Sequence, residues 1–189
     1  MDPWWSGCDM ALKIEYLIVG GGIMYALYKA LPHDNEVIPD KPDQISKNFN
    51  LKEFRVTSTG LPNDIPEDAK AWIVALVQEI LQPLRDKIGS IQITSGYRSQ
   101  AVNTRIGGAP ASQHMKGQAS DLVSPGMSPK DIFLVLYRSN FPISQCILYA
   151  PTDGNFVHVA IDPQRPSKRQ FLINESGAFS PYNGGTIIL

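Results

Sequence analysis

A histidine and an aspartate, both able to bind a metal ion, lie seven positions apart in the stretch ASQHMKGQASDL. Gly117 and two other small residues lie between His114 and Asp121, so the backbone can follow a narrow path from one to the other. The chain has three histidines, and His33 lies in a proline-rich polar segment. His158, in the alternating stretch FVHVAID, is therefore the second imidazole that a folded domain could bring to the same place.

Two neutral imidazoles and one carboxylate form a suitable ligand set for Zn²⁺. A catalytic zinc keeps three protein ligands and one open position for water, and it lowers the pKa of that water to about 7. The spacing alone leaves another interpretation open, because a histidine on a strand is often a hydrogen-bonded structural residue. A zinc site therefore requires that the fold bring His158 to His114 and Asp121.

Two helices are predicted around these residues. The stretch DIPEDAKAWIVALVQEILQPLRDKIG has apolar residues at a period near 3.6, and Asp64 or Pro66 is suited to begin a helix there. Pro83 is expected to kink or end the main helical run. The stretch DIFLVLYRSN predicts a second helix, which Ser128 and Pro129 would begin.

Short alternating or apolar runs predict the strands. IQITSGYRS is a strand that leads into a glycine turn, and QCILY and FVHVAID are two strands that the turn residues of APTDGN would join as a hairpin. RQFLIN and GTIIL predict further strands near the C-terminus. The order helix, strand, loop, helix, hairpin contains no regular βαβ alternation and no internal repeat, and it predicts an α+β fold.

The chain changes character near Pro32. Residues 11–31 are mostly apolar and, with lysines that can snorkel, they reach the roughly 20 residues that a bilayer-spanning helix needs. We expect an N-terminal hydrophobic helix that embeds in a membrane or a partner, with a buried helix of a soluble protein as the alternative. The predicted organisation is an anchor segment at 1–31, a linker at 32–48 and a domain at 49–189.

Composition sets wider limits on function. The 189 residues are 43% hydrophobic and 19% charged, which suits one ordinary globular domain with an appendage. The formal net charge is −1 and no long basic run occurs, so we expect no nucleic-acid partner. Cys8 and Cys146 lie in unrelated contexts and indicate no disulfide framework; Cys146 is expected to be a small buried hydrophobe.

Several separated blocks resemble, in the right order, the zinc D-Ala-D-Ala carboxypeptidases and endolysin peptidases of the Hedgehog/DD-peptidase fold. The block SGYRSQAVNTRIGGAPASQHMKGQASDL is similar to the family pattern SGYRS…N…GG…SxHxxGxAxD, and the VHV of residues 157–159 is similar to its closing metal motif. NFNLKEF, residues 48–54, is similar to the opening of the phage and bacterial branch. The resemblance covers roughly residues 49–161 and implies a small antiparallel sheet with packed helices.

The resemblance also implies roles for particular residues. The zinc ligands would be His114, Asp121 and His158. Arg98 would lie beside the metal and steady the substrate carbonyl or the oxyanion that develops on it. Tyr97 and Ser112 would contact the substrate, with capping of the loop as the other interpretation of Ser112.

One feature departs from the family pattern. These peptidases use a carboxylate as general base, three residues before the last histidine or at the end of the preceding strand, and those positions here are Asn155 and Tyr149. Neither accepts a proton at neutral pH as a carboxylate does. Ala160 replaces an aspartate that many similar sequences carry two places after the histidine. We therefore predict Asp153, the nearest acid, as general base, with an ordinary turn aspartate as the alternative.

Together these features predict a Zn²⁺-dependent hydrolase, a murein DD-carboxypeptidase or endopeptidase that cleaves the stem peptides of peptidoglycan. Such a metallopeptidase would act in cell-wall remodelling or in phage lysis or entry. The expected partners are peptidoglycan and, through the anchor, a membrane facing the cell wall or a virion component. The alternative is a non-catalytic virion or membrane-associated structural protein that retains the fold and the metal.

Overall fold

The structure is a computed structural model that describes residues 43–162 and 169–187. The predicted hydrophobic anchor at 1–31 lies outside these residues, so the anchor and the predicted domain boundaries stay predictions. Within the described ranges, no helix combines the length and the hydropathy that a bilayer crossing requires.

One six-stranded sheet organises the described residues, in the order β1-β2-β4-β3-β5-β6. Its strands are β1 (Gln92–Ser95), β2 (Ala119–Val123), β3 (Gln145–Tyr149), β4 (Val157–Ala160), β5 (Gln170–Glu175) and β6 (Ala178–Pro181). The expectation of an antiparallel sheet is wrong for one pair, because β3 and β5 run parallel. After β4 the chain re-enters the sheet as β5, on the far side of β3. β3 and β4 are antiparallel, so β5, which runs in the opposite direction to β4, is parallel to β3.

Four helices accompany the sheet in the part of the chain that the structure describes: α1 (Glu67–Leu76), α2 (Gln82–Ile88), α3 (Gln100–Arg105) and α4 (Pro129–Arg138). The predicted starts of the two long helices are confirmed. Pro66 is the N-cap residue of α1, and Ser128 caps α4 by accepting a hydrogen bond from the Asp131 backbone N–H.

The helical run does not end at Pro83, but its regular α-helical hydrogen bonding is interrupted just before that residue. A π turn at Val77–Leu81 joins α1 to α2, and the Gln82 N–H donates to the Val77 carbonyl five residues back. Proline has no N–H for a normal helical bond, and a wider turn just before it accommodates that gap without ending the helix. The run ends at Gly89, whose φ of +87° is readily adopted only by glycine.

Two predictions near the C-terminus need correction. GTIIL is not a strand over its described residues, because Ile187 packs into the core and its carbonyl accepts a hydrogen bond from Lys130 Nζ. β6 is not among the predicted strands, because its four residues are all exposed and end in a proline, so no apolar alternation marks them. α3 is not predicted either, because six residues are too few to show a helical period.

The two faces of the sheet differ. On one face, α4 contacts β3 and β4 and covers apolar side chains that include Cys146, Val159 and Phe171. Cys146 is fully buried, as predicted, and burial raises the pKa of its thiol well above the usual value. Alternation along the strands places Asp121 and His158 on the opposite face. That face carries the functional candidates.

Candidate metal centre and active site

Three different elements bring the predicted zinc ligands together. His114 lies in a 3₁₀ turn at Gln113–Lys116, whereas Asp121 and His158 are register partners on the adjacent antiparallel strands β2 and β4. Directly opposed residues of such a pair project from the same face of the sheet. All three are buried, at 3%, 5% and 8% exposure respectively.

Their ligand atoms form a nearly equilateral triangle. His114 Nε2 lies 3.1 Å from His158 Nδ1, which lies 2.8 Å from Asp121 Oδ1, and the third side, from His114 Nε2 to Asp121 Oδ1, is 3.3 Å. Bond lengths of about 2.0–2.1 Å around a tetrahedral Zn²⁺ place neighbouring ligand atoms about 3.3 Å apart. The donor set and its size therefore fit zinc. In residues 43–162 and 169–187, no fourth histidine, cysteine or acid joins this group.

The orientation of the His114 ring is fixed from behind. Its Nδ1–H donates to the Gly96 carbonyl over 2.7 Å, which leaves the Nε2 lone pair facing the other two ligands. Gly96 is tightly confined, because a Cβ there would lie 2.6 Å from the Phe54 Cα. The glycine of the SGYRS block thus permits the close approach that places this carbonyl.

Gly117 ends the turn that carries His114, and two constraints require a glycine there. Its φ is +72°, in the left-handed region, and a Cβ would lie 2.3 Å from the Ala69 carbonyl oxygen of α1. The ligand-bearing turn is therefore pressed against the backbone of α1.

Arg98 holds the outer oxygen of Asp121. Its Nη2 donates to Asp121 Oδ2 over 2.5 Å and its Nε donates to the Ser95 hydroxyl over 2.9 Å, so Asp121 Oδ1 is left to face the two imidazoles. Burial raises the pKa of the Asp121 carboxyl, but the electrostatic interactions and hydrogen bonds with His114 and His158 outweigh that effect and hold the pKa well below its usual value. Asp121 is an anion whose Oδ1, in contact with the two imidazoles, is placed where it could also bind a cation.

His158 is kept neutral by its surroundings. Burial lowers the pKa of its imidazole below the usual value, although the hydrogen bond to Asp121 opposes that shift. A neutral imidazole has the lone pair that a metal needs, so burial favours a ligand at this position.

Asn63 braces the arginine-bearing loop, and the sequence analysis missed it. Its Nδ2 donates to the carbonyls of Arg55 and Tyr97 over 3.0 and 2.9 Å, and its Oδ1 accepts from the Ser99 N–H over 2.7 Å. These bonds hold the backbone on both sides of Arg98. In the sequence, Asn63 lies in LPNDIP, whose composition is typical of an ordinary turn. Only the fold shows that Asn63 supports the loop that carries Arg98.

The two predicted substrate contacts lie in different surroundings. The Tyr97 side chain belongs to the hydrophobic core, and burial, with a contribution from the charge of Asp68, raises the pKa of its phenol. Ser112 precedes the His114 turn, is half-buried and makes no capping bond with its side chain. The capping interpretation of Ser112 therefore has no support, and substrate contact by either residue stays a prediction.

Asp153, the predicted general base, is occupied in a turn. Its Oδ2 accepts from the Ser176 N–H over 2.8 Å and its Oδ1 from the Gly177 N–H over 3.1 Å. The hydrogen bond from the Thr152 hydroxyl, followed by these backbone bonds, lowers the pKa of the carboxyl below its usual value. A carboxylate stabilised in this way is a weaker base. The assignment stays a prediction, and the contacts favour a structural role in the turn between β5 and β6.

A buried pair of histidines with an aspartate, and an arginine on that aspartate, form a group on an α+β scaffold that could hold a metal ion, as the centre of a metallopeptidase does. The comparisons with known proteins agree: the model of the Peptidase M15 family matches residues 47–160, which include every one of these residues. The chain belongs to the Peptidase M15 family. None of the curated proteins matches it significantly.

Proposed function

We propose that this protein is a zinc-dependent peptidase that cleaves the stem peptides of peptidoglycan, as a murein DD-carboxypeptidase or endopeptidase. The observation that carries the proposal is the buried triangle of His114 Nε2, Asp121 Oδ1 and His158 Nδ1, which has the size of a tetrahedral zinc site. The family supports a metallopeptidase in general. The wall substrate rests on the resemblance of the SGYRS and SxHxxGxAxD blocks to the murein branch.

Each residue of the centre has a distinct part in this function. His114, Asp121 and His158 would hold the Zn²⁺, which when bound polarises a carbonyl and makes water nucleophilic near neutral pH. The Gly96 carbonyl fixes the ring of His114, and Arg98 fixes the carboxylate of Asp121. Arg98 also brings a permanent positive charge to the side of the centre where negative charge develops on the attacked carbonyl.

The proton released by the attacking water needs an acceptor. Asp153 is the residue that the sequence predicts for this role, and it would have to exchange its bonds to the Ser176 and Gly177 amides for the water. The proposed anchor at residues 1–31 would keep the enzyme at a membrane facing the wall or in a virion.

The test uses the full chain with added Zn²⁺ on purified peptidoglycan, and mass spectrometry of the soluble products measures the release of stem peptides. We expect release by the wild type and by His33→Ala, a substitution in the predicted linker, and we expect His114→Ala to lose both zinc and release.

Three outcomes would contradict all or part of the proposal. Equal release by the wild type and His114→Ala would show that the centre is not catalytic. Stoichiometric zinc in the wild type with no release would support the non-catalytic alternative, which the present observations do not favour. Cleavage of other peptides, but not of peptidoglycan, would retain the peptidase and reject the wall substrate.

A further inference from the structure

Tyr149 ends β3 on the face of the sheet that carries the metal centre. Ile147 is the register partner of His158, and Tyr149 follows it by two residues, so both side chains project to the face of His158. The Tyr149 N–H donates to the Phe156 carbonyl, which makes Tyr149 a diagonal neighbour of His158 across the two strands. Diagonal neighbours are within reach of a long aromatic side chain.

Aromatic contacts hold the Tyr149 ring in place. It stacks on Phe156 with ring centroids 4.3 Å apart and an angle of 16° between the planes. It also makes a T-shaped contact with Phe179, with ring centroids 6.3 Å apart and an angle of 87° between the planes. Both geometries are favourable for aromatic pairs. A ring fixed between two others holds its hydroxyl at a defined position, as a preorganised donor requires.

The hydroxyl of Tyr149 is within the electrostatic field of the centre. Burial raises the pKa of the phenol, the Asp121 anion raises it further and Arg98 opposes that effect. The phenol is therefore protonated at neutral pH and acts as a donor. Among the described residues no acceptor is hydrogen-bonded to it, whereas the hydroxyl of Tyr182, a partly buried residue that packs against the core, donates to the Gly185 carbonyl.

We propose that Tyr149 is a catalytic residue, which donates a hydrogen bond from its phenol to the carbonyl oxygen that gains negative charge when the substrate is attacked. This inference rests on the proposed peptidase function and adds to it the second donor beside Arg98. Tyr149 occupies a position at which related peptidases carry the carboxylate that accepts the proton of the water. Here its phenol would instead stabilise the oxyanion.

The test compares Tyr149→Phe with the wild type, because phenylalanine keeps the stack on Phe156 and removes only the hydroxyl. We expect zinc stoichiometry to be unchanged, kcat to fall by about ten- to a hundredfold and KM to stay near that of the wild type, as for the loss of one hydrogen bond to a charged group. Tyr137→Phe is the matched control, because Tyr137 packs against Phe171 and Tyr182 on the α4 side of the sheet.

A second measurement does not depend on turnover. Inorganic phosphate, a tetrahedral oxyanion, is titrated into the Co²⁺-substituted full chain, and the visible spectrum of the cobalt reports its affinity. We expect Tyr149→Phe to weaken phosphate binding by about tenfold or more, and Tyr137→Phe to leave it unchanged.

The results separate this inference from the proposed function. Wild-type kcat in Tyr149→Phe, or equal phosphate affinity in the two proteins, overturns the role of Tyr149 and leaves the peptidase intact. A rise in KM alone would show that Tyr149 only binds substrate and would also overturn it. If the wild type cleaves no peptide, the proposed function fails, and weaker phosphate binding by Tyr149→Phe still supports an oxyanion donor at this position.

Discussion

The two halves of the sheet are built differently. In one half, which we call the inner half, β1, β2 and β4 adjoin the candidate metal centre, and two of its three ligands have a partner behind them: the Gly96 carbonyl for His114 and Arg98 for Asp121. In the outer half, β3, β5 and β6 carry aromatic side chains and turn residues, and Phe179 is 55% exposed. The difference shows that the inner half has its geometry imposed from several sides, whereas the outer half, apart from the aromatic stack of Tyr149, has fewer such constraints.

The glycines of the two halves show the same contrast. Gly117 in the inner half and Gly177 in the outer half both have positive φ, at +72° and +78°. A Cβ on Gly117 would lie 2.3 Å from the Ala69 carbonyl oxygen, but a Cβ on Gly177 would meet nothing within 4 Å. Gly117 is therefore required both by packing and by its backbone conformation, whereas Gly177 is required by its backbone conformation alone.

The largest effect is expected from this pair of glycines. Gly177→Ala should lower the free energy of unfolding by about 1–2 kcal/mol, the cost of the left-handed backbone. Gly117→Ala should add a packing cost of about 1–3 kcal/mol and weaken zinc binding, because the turn that carries His114 must move. Urea unfolding and zinc titration of both variants measure this. Equal destabilisation with unchanged zinc affinity would mean that the inner half is no more constrained than the outer half.

An intermediate effect is expected from the arginines. Arg98→Lys should lower kcat by on the order of 10²-fold, near the cost of removing one oxyanion donor, because one ammonium cannot bond both Ser95 and Asp121 as the guanidinium does. Arg169→Lys is the outer-half control, since Arg169 donates to main-chain carbonyls at the end of α4. Steady-state kinetics measure kcat of both variants, and equal losses of kcat would contradict the difference between the two halves of the sheet.

The smallest effect is expected from Asp153→Asn. If the carboxylate holds only the turn between β5 and β6, kcat should stay close to that of the wild type. A loss of about 10²–10⁴ in kcat with unchanged stability would instead establish Asp153 as the general base.

The pH dependence of stability provides a second test of Asp153. Hydrogen bonds from Thr152 and the Ser176 amide lower the folded-state pKa of this carboxyl below 3.8, so its contribution to stability is present above pH 3.8 and is lost as the pH falls through the folded-state pKa. The difference in unfolding free energy between the wild type and Asp153→Asn should therefore be larger at pH 6 than at pH 3. A pH-independent difference would indicate that the charge of Asp153 contributes nothing.

The sequence predicts the inner half better than the outer half, for physical reasons. His114, Asp121 and His158 are separated along the chain, but His158 lies on a predicted strand and the donor chemistry of the three residues is specific, so a shared site could be inferred. The parallel pairing of β3 with β5 could not, because it depends on where the chain re-enters the sheet. The exposed strand β6 has no apolar alternation, and the roles of Asn63 and Asp153 depend on backbone groups that the sequence does not locate.

The close approach of Gly117 to the Ala69 carbonyl links α1, which carries none of the three predicted ligands, to the turn that carries His114. Since α1 supports this turn, we expect melting of α1 and release of a bound Zn²⁺ to be one cooperative event. A chelator should then accelerate hydrogen exchange along α1, far along the chain from any of the three ligands.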